Sequence, residues 1–183
     1  FLRGTGWKPR DPFASEADKK TKTLDALKEM SNLHCNFVRV LGVGIYEDKS
    51  FFDYCDAHGI MVWQDFMFAC EIPSMNEEYG KLVAKEAEQV VKKYRNHTCL
   101  ALWCGDNECD CTTHYSIPRN PNENIITRKI LPEVCRLHDG ARPFLPSSPW
   151  CSPESVIQAE KLKDFPLFQV PEQHLWGGMY FKD

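Results

Sequence analysis

The apolar run Ala101-Leu102-Trp103-Cys104-Gly105 leads directly into Asp106-Asn107-Glu108. A carboxyl at the end of a buried strand sits where lost solvation disfavours the charged form. Such a group can hold a proton near neutral pH and hand it to a leaving oxygen, which is general acid work. Glu108 is therefore the sharpest candidate for chemistry in these 183 residues. Other polar side chains fall where apolar runs stop: Arg39, Asp65, Asn107 beside Glu108, Ser147 with Ser148, and His174 with Trp176. Carboxylates next to flat aromatic faces suit a carbohydrate, which offers hydroxyls to charged acceptors and C–H faces to rings.

Rival chemistries are less well supported. Cys104, Cys109, Cys111 and His114 gather soft ligands, but their Cys-x4-Cys-x-Cys-x2-His spacing lacks the paired knuckles of a zinc site. Free thiols are the expected state, with no metal and no cofactor. Ser147 and Ser148 with His174 suggest a hydrolase triad, yet no G-x-S-x-G elbow accompanies them. His34, His58 and His138 stand near predicted helix ends, where the helix dipole favours a cation. Asn96-His97-Thr98 fits the glycosylation sequon, a short and common pattern.

The elements that must position these residues alternate. Asn36–Gly42, Ile60–Phe66 and Cys99–Gly105 are β-rich runs, and Pro143–Ser148 is a weaker one interrupted by two prolines. Phe1-Leu2-Arg3-Gly4 reads as a strand running into a turn, and 174–177 offers one more strand. Nearly continuous apolar runs predict strands covered on both faces. Between them lie helical stretches. Ser15–Leu33 opens on Ser15 with Asp18 three residues later. Asp48–His58 stops at Gly59. Asn76–Tyr94 carries an apolar stripe, Glu123–His138 contains a disruptive Pro132, and Pro153–Leu162 is capped by Ser152. Strand then helix, repeated about five times, means parallel strands with crossover helices, either doubly wound or in a barrel. No glycine-rich phosphate loop follows any strand, which counts against a nucleotide-binding sheet. A complete barrel takes about 250 residues, so a barrel here would be unfinished at its C-terminal end.

Composition excludes other classes. The chain is 43% hydrophobic and 26% charged, with a net charge of -4. That is globular composition with no basic stripe for nucleic acid or anionic membrane. No apolar stretch approaches the roughly 18 residues of a membrane span. Nine cysteines, mostly inside apolar stretches, suit buried thiols acting as small hydrophobes. Nothing here distinguishes one cellular compartment from another.

Trp103-Cys104-Gly105-Asp106-Asn107-Glu108 resembles the acid/base motif of glycoside hydrolase family 2, where Asn-Glu closes the fourth barrel strand. Val38–Glu47 resembles the second-strand segment, and Trp63–Cys70 is similar to one typical of the β-mannosidase branch. Gly4–Pro9, Ser147-Ser148-Pro149 and His174-Leu175-Trp176 resemble the first and later strands in order. The resemblance implies an incomplete (β/α)8 barrel of about the first six βα units, one partial catalytic domain over 1–183. Flanking β-sandwich domains and the last strands would belong to the rest of the parent enzyme.

The family implies a retaining mechanism with two glutamates, their carboxyls about 5–5.5 Å apart. Glu108 matches the general acid/base. The nucleophile is expected in a Ser-Glu-Phe-Gly-like context that does not occur here, so the chain alone is expected not to turn over substrate. Asn107 resembles the residue that bonds the sugar 2-hydroxyl, and Arg39 the one that keeps the nucleophile ionised. Trp63 and Asp65 would contact the terminal sugar, with Trp103, His174 and Trp176 counted in the same sugar-binding set. The implied activity is an exo-glycosidase acting on terminal β-linked sugars, with β-mannosides the expected class. A galactosidase, glucuronidase or glucosaminidase of the same family stays open, as does a non-catalytic carbohydrate binder. Three departures bear on sugar choice and on the site: Leu41 stands where the branch has Trp, Val43 replaces Gly, and Asp106 replaces Asn. Asp106 would bear on the charge of Glu108 if the two side chains face each other.

Overall fold

A computed structural model of the chain describes residues 1–8, 13–116, 119–162 and 174. Five strands are present: β1 (Gly4–Trp7), β2 (Phe37–Val40), β3 (Met61–Asp65), β4 (Leu100–Cys104) and β5 (Phe144–Leu145). The helices are α1 (Glu16–Asn32), α2 (Lys49–His58), α3 (Glu77–Tyr94), α4 (Cys109–Ser116), α5 (Leu131–Asp139) and α6 (Pro153–Leu162). The strands form one sheet in chain order, each parallel to the next. Every crossover among them steps the same way, so the sheet is singly wound. A doubly wound sheet would reverse direction at a switch point.

Local signals explain the boundaries. Ser15, Asp48 and Asn76 each accept a backbone N–H at a helix start, which satisfies a donor the helix cannot satisfy itself. Gly59 ends α2 with φ at 68°, a left-handed turn that costs a residue without Cβ little. The segment read as one helix over 123–138 is broken. A 3-10 turn (Pro121–Glu123) and a wide π turn (Ile126–Ile130) precede α5, which has Pro132 in its first turn. The Leu131 N–H still bonds the Ile126 carbonyl of the wide turn, and the ladder is interrupted at Pro132, which has no N–H to donate. β5 is cut to two residues between Pro143 and Pro146. The first strand runs from Gly4 rather than ending there; the segment before it is held mainly through the side chain of Asn36, whose Oδ1 accepts from the Arg3 N–H and whose Nδ2 donates to the Phe1 carbonyl. Apart from His174, the strand expected at 174–177 lies outside the described residues.

Alternation along the strands sorts the core from the site. Val38, Val40 and Val62 are buried toward the helices, packed with Leu27 and Met30 of α1 and Phe51, Phe52 and Cys55 of α2. Phe37, Arg39 and Trp63 point to the opposite face and are half-buried. Both faces were expected to be covered; among the described residues only the helix side is. The far face is the concave wall where the polar residues collect.

At their C-terminal ends the strands stay joined by single bridges. Asn107 pairs with Ala69 on one side and Ser148 on the other. Gly105 makes this approach possible: a Cβ there would lie 2.1 Å from the Pro146 carbonyl oxygen and 3.0 Å from Thr127 Cγ2. Backbone cannot yield as a flexible side chain would. Gly105→Ala should therefore destabilise the chain by about 1–3 kcal/mol, read from the urea unfolding midpoint. A midpoint unchanged from wild type would show that β4 and the segment after β5 separate freely.

Candidate active site

Arg39 on β2 is the centre of the concave wall. Its Nε donates to both carboxylate oxygens of Asp65 at 3.2 Å, and Nη2 donates to Asp65 Oδ2 at 2.9 Å. Asp65 is fully buried. It also accepts from Trp63 Nε1 at 2.7 Å and from the Gly42 backbone N–H at 3.1 Å. Burial is the strongest influence on this carboxyl and pushes its pKa up, while Arg39, Gly42 and Trp63 pull the other way. The Trp63 ring lies 4.7 Å from the guanidinium carbon, close enough for cation–π attraction. Asp65 thus spends its lone pairs on the protein. It was expected to touch a sugar; its place is behind Arg39, which it neutralises and aims.

The rest of Arg39 reaches the strand tips. Nη2 approaches Asn107 Oδ1 at 3.4 Å, and Nη1 lies 3.0 Å from His174 Nε2. A guanidinium only donates, so His174 Nε2 is assigned as the acceptor and Nδ1 as the N–H. That N–H faces Glu108 Oε1 at 2.6 Å. Ser148 Oγ sits 3.0 Å from the same Nε2. On the other side of Glu108, the Cys70 thiol lies 3.3 Å from Oε2. The Glu108 side chain is 24% exposed, neither sealed in the core nor free in bulk water. Together with Gly6, Phe37, Arg39, Asn107 and His174 it lines a cleft of about 500 Å³.

The backbone fixes this carboxyl. Asn107 N–H donates to Phe68 O, Cys70 N–H to Asn107 O, and Glu108 N–H to Ser148 O, all at 2.8–2.9 Å. Glu108 itself has φ at 64°, a left-handed conformation unusual for a residue with a Cβ. Such strain persists only where neighbours over-determine it, and it clusters at functional sites. Asp106 does not face Glu108. It is fully buried behind the tip, where Oδ1 accepts from Ser147 Oγ at 2.5 Å and from Cys109 N–H at 3.1 Å.

The structure therefore brings Arg39, Trp63, Asp65, Asn107, Glu108 and His174 together. Trp103, counted with the sugar-binding residues, is elsewhere. It is fully buried on the helix side, stacked on Phe66, with Nε1 donating to Asp139 at 2.8 Å. Strand alternation puts it on the face opposite the cleft. Trp176 lies outside the described residues. The sequence reading missed Cys70, whose only sign was its place at the end of Phe66–Cys70. All nine cysteines are free, and Cys70 is exposed where buried thiols were expected. Among the described residues one trio brings potential metal ligands together, Asp53, Asp56 and His97, with His97 before β4 and Glu108 after it. Its acids are already engaged, Asp53 by Lys49, and Asp56 by His97, Thr98 and the Cys99 N–H.

No family model matches the sequence. Relatives do. The whole chain aligns over 192 residues, at 31% identity, with a β-mannosidase of Rattus norvegicus. The crystal structure of the β-D-mannosidase of Dictyoglomus thermophilum superposes on 96% of the chain with a TM-score of 0.75 and 38% identity.

The chain belongs to the β-mannosidase-like branch of glycoside hydrolase family 2.

This family member spans about a fifth of the length of these relatives, 22% of the rat protein and 21% of the bacterial one. A Bacteroides uniformis β-glucuronidase shares the fold over 78% of the chain, with a TM-score of 0.65 at 17% identity. Within this chain the Arg39–Asp65 pair is the strongest electrostatic feature of the cleft. Asp65→Asn would take the buried negative charge of this pair away from a guanidinium only 12% exposed. The expected loss is about 3–5 kcal/mol in urea unfolding. A loss below about 1 kcal/mol, the worth of a surface pair, would show that water already solvates Arg39.

Proposed function

We propose that this chain is the N-terminal part of the catalytic (β/α)8 barrel of a retaining exo-glycosidase that hydrolyses terminal β-linked sugars, with β-mannosides as substrates. Glu108 is the general acid/base. The observation that carries this reading is its carboxyl at the end of β4, on the cleft wall, held by a left-handed backbone between two strand tips. The five described strands, in chain order and all parallel, support the barrel. The partners in this reading are a β-linked glycoside and the remaining domains of the parent enzyme.

The proposed reaction is the two-step retaining course of the family. In the first half, Glu108 gives its proton to the glycosidic oxygen as the bond to the anomeric carbon breaks, and a second carboxylate forms the glycosyl-enzyme. In the second half, Glu108 takes a proton from water, which attacks the anomeric carbon and frees the second carboxylate. That nucleophile is proposed to come from residues outside this sequence, since no Ser-Glu-Phe-Gly-like stretch occurs within it. Asn107 has its amide at the cleft, placed to bond the sugar 2-hydroxyl more strongly in the transition state than in the ground state. Arg39, neutralised from behind by Asp65, is proposed to orient Asn107 and His174 and to stabilise the ionised nucleophile. His174 and Trp63 are proposed to border the terminal sugar, with Trp176 a further candidate. Leu41 also lines the cleft, so an aliphatic surface meets the sugar where the branch usually has an indole.

Glu108→Gln in the intact parent enzyme should lower kcat on an unactivated β-mannoside by about 100- to 10,000-fold. With an aryl leaving group that needs no proton, added azide should restore turnover, because the anion attacks the glycosyl-enzyme without a general base. Unchanged hydrolysis of the unactivated substrate in the variant would defeat the assignment.

A further inference from the structure

Behind the Asn107–Glu108 tip lies a buried pair of carboxyls that the proposed chemistry does not use. Asp106 and Asp110 are both almost inaccessible to solvent. Asp110 Oδ2 is met by the Arg128 guanidinium at 2.5 Å and by the Cys151 backbone N–H at 3.0 Å. Asp106 Oδ1 is met only by uncharged donors, Ser147 Oγ and the Cys109 N–H. Ser147 Oγ also receives the Asp110 N–H at 3.4 Å, so one hydroxyl touches both residues. The remaining oxygens, Asp106 Oδ2 and Asp110 Oδ1, are buried with no hydrogen-bond donor against either among the described residues.

Two ionised carboxylates with one cation between them are costly in such a place. A single proton removes one of the two charges. Burial pushes the Asp110 carboxyl up as well, but there the charge and hydrogen bond of Arg128 oppose it, so the proton goes to Asp106. The surroundings agree. Burial is the main cause of a pKa pushed up to about 8 at Asp106, the charge of Asp110 adds to it, and Arg128 only partly offsets it. The other ionisable groups near Asp106 are the thiols of Cys104 on β4, Cys109 on α4 and Cys70 after β3, all themselves pushed toward the neutral form by burial.

The position matters because the Asp106 side chain reaches past Asn107 and Glu108 to bond Cys109, the first residue of α4. The two site residues are thereby enclosed between the Asp106 peptide and its own carboxyl. That closure is one of the restraints holding Glu108 at positive φ. We propose that Asp106 is a positioning residue for Asn107 and Glu108, and that it works as a neutral carboxylic acid. The effect on turnover rests on the reading of Glu108 as acid/base; the proton itself does not.

The test uses Asp106→Asn in the intact protein. The amide keeps one acceptor and one donor in the same shape but cannot ionise. In the wild type the unfolded carboxyl gives up its proton above about pH 4, while the folded one keeps it until about pH 8. The unfolded state then binds fewer protons, so wild-type stability falls as pH rises through that window and levels off above it. The urea midpoint of Asp106→Asn should accordingly rise relative to wild type from pH 4 to pH 8. A difference that stays constant over this range would overturn the neutral carboxyl. For positioning, Asp106→Asn should keep kcat near wild type at pH 6. Asp106→Ala should lose about 10- to 100-fold in kcat with little change in KM, as a displaced catalytic group does. Asp106→Ser takes its place if the alanine variant does not fold. Equal kcat in the amide variant and the truncated one would overturn the positioning role. A parent protein that hydrolyses no β-glycoside would sink the functional reading, while the unfolding profile would still decide the proton.

Discussion

A guanidinium inside a sheet must be neutralised where it lies, and the concave wall of this chain is organised around that demand. Arg39 gives three donor contacts to Asp65, which is buried so completely that the Gly42 N–H and the Trp63 indole take up its remaining capacity. With its charge met from behind, Arg39 directs its other N–H groups forward, toward Asn107 and His174. Residues on β2, β3, the tip of β4 and the distant 174 position thereby share one electrostatic arrangement. The pair contributes less to net stability than to orientation, because desolvation offsets much of the Coulomb attraction of any buried ion pair.

The second constraint is in the backbone. Beyond their regular ladders, β3, β4 and β5 are joined through Asn107, which bonds on both sides. A residue held between two strands has little freedom, and the next one, Glu108, turns into α4 through a left-handed conformation. A carboxylate on a loop thereby takes on the rigidity of the strands beside it. The buried Asp106, Ser147, Asp110 and Arg128 beneath the tip close it from the interior. On the proposed reading, the cleft side and the core side of this turn have separate tasks: Glu108 moves protons, and Asp106 holds one still.

Much of this was legible in the sequence. The β2, β3 and β4 runs and the cap at Ser15 have short-range causes, so they could be read. Glu108 stood out because an apolar run delivers straight into it. Three things could not be read. Which face of β4 looks into the cleft depends on pairing with β3, where a register shift at Val62 and Trp63 resets the alternation; Trp103 accordingly went to the core. Whether Asp65 meets a sugar or a guanidinium depends on a neighbour 26 residues earlier. The direction of Asp106 is set by Ser147, 41 residues later. Even the break before α5 was visible only as Pro132, since the wide turn ahead of it carries no mark in residue type.

On the proposed reading, Glu108 stands next to the oxygen of the bond to be broken. A crystal structure of the intact parent enzyme with an uncleaved β-mannoside analogue bound would show it. A Glu108 oxygen is expected within about 2.6–3.2 Å of the glycosidic oxygen, and a second carboxylate about 5–5.5 Å from it across the sugar. A ligand seated in this cleft whose glycosidic oxygen no Glu108 atom can reach would rule out Glu108 as the proton donor.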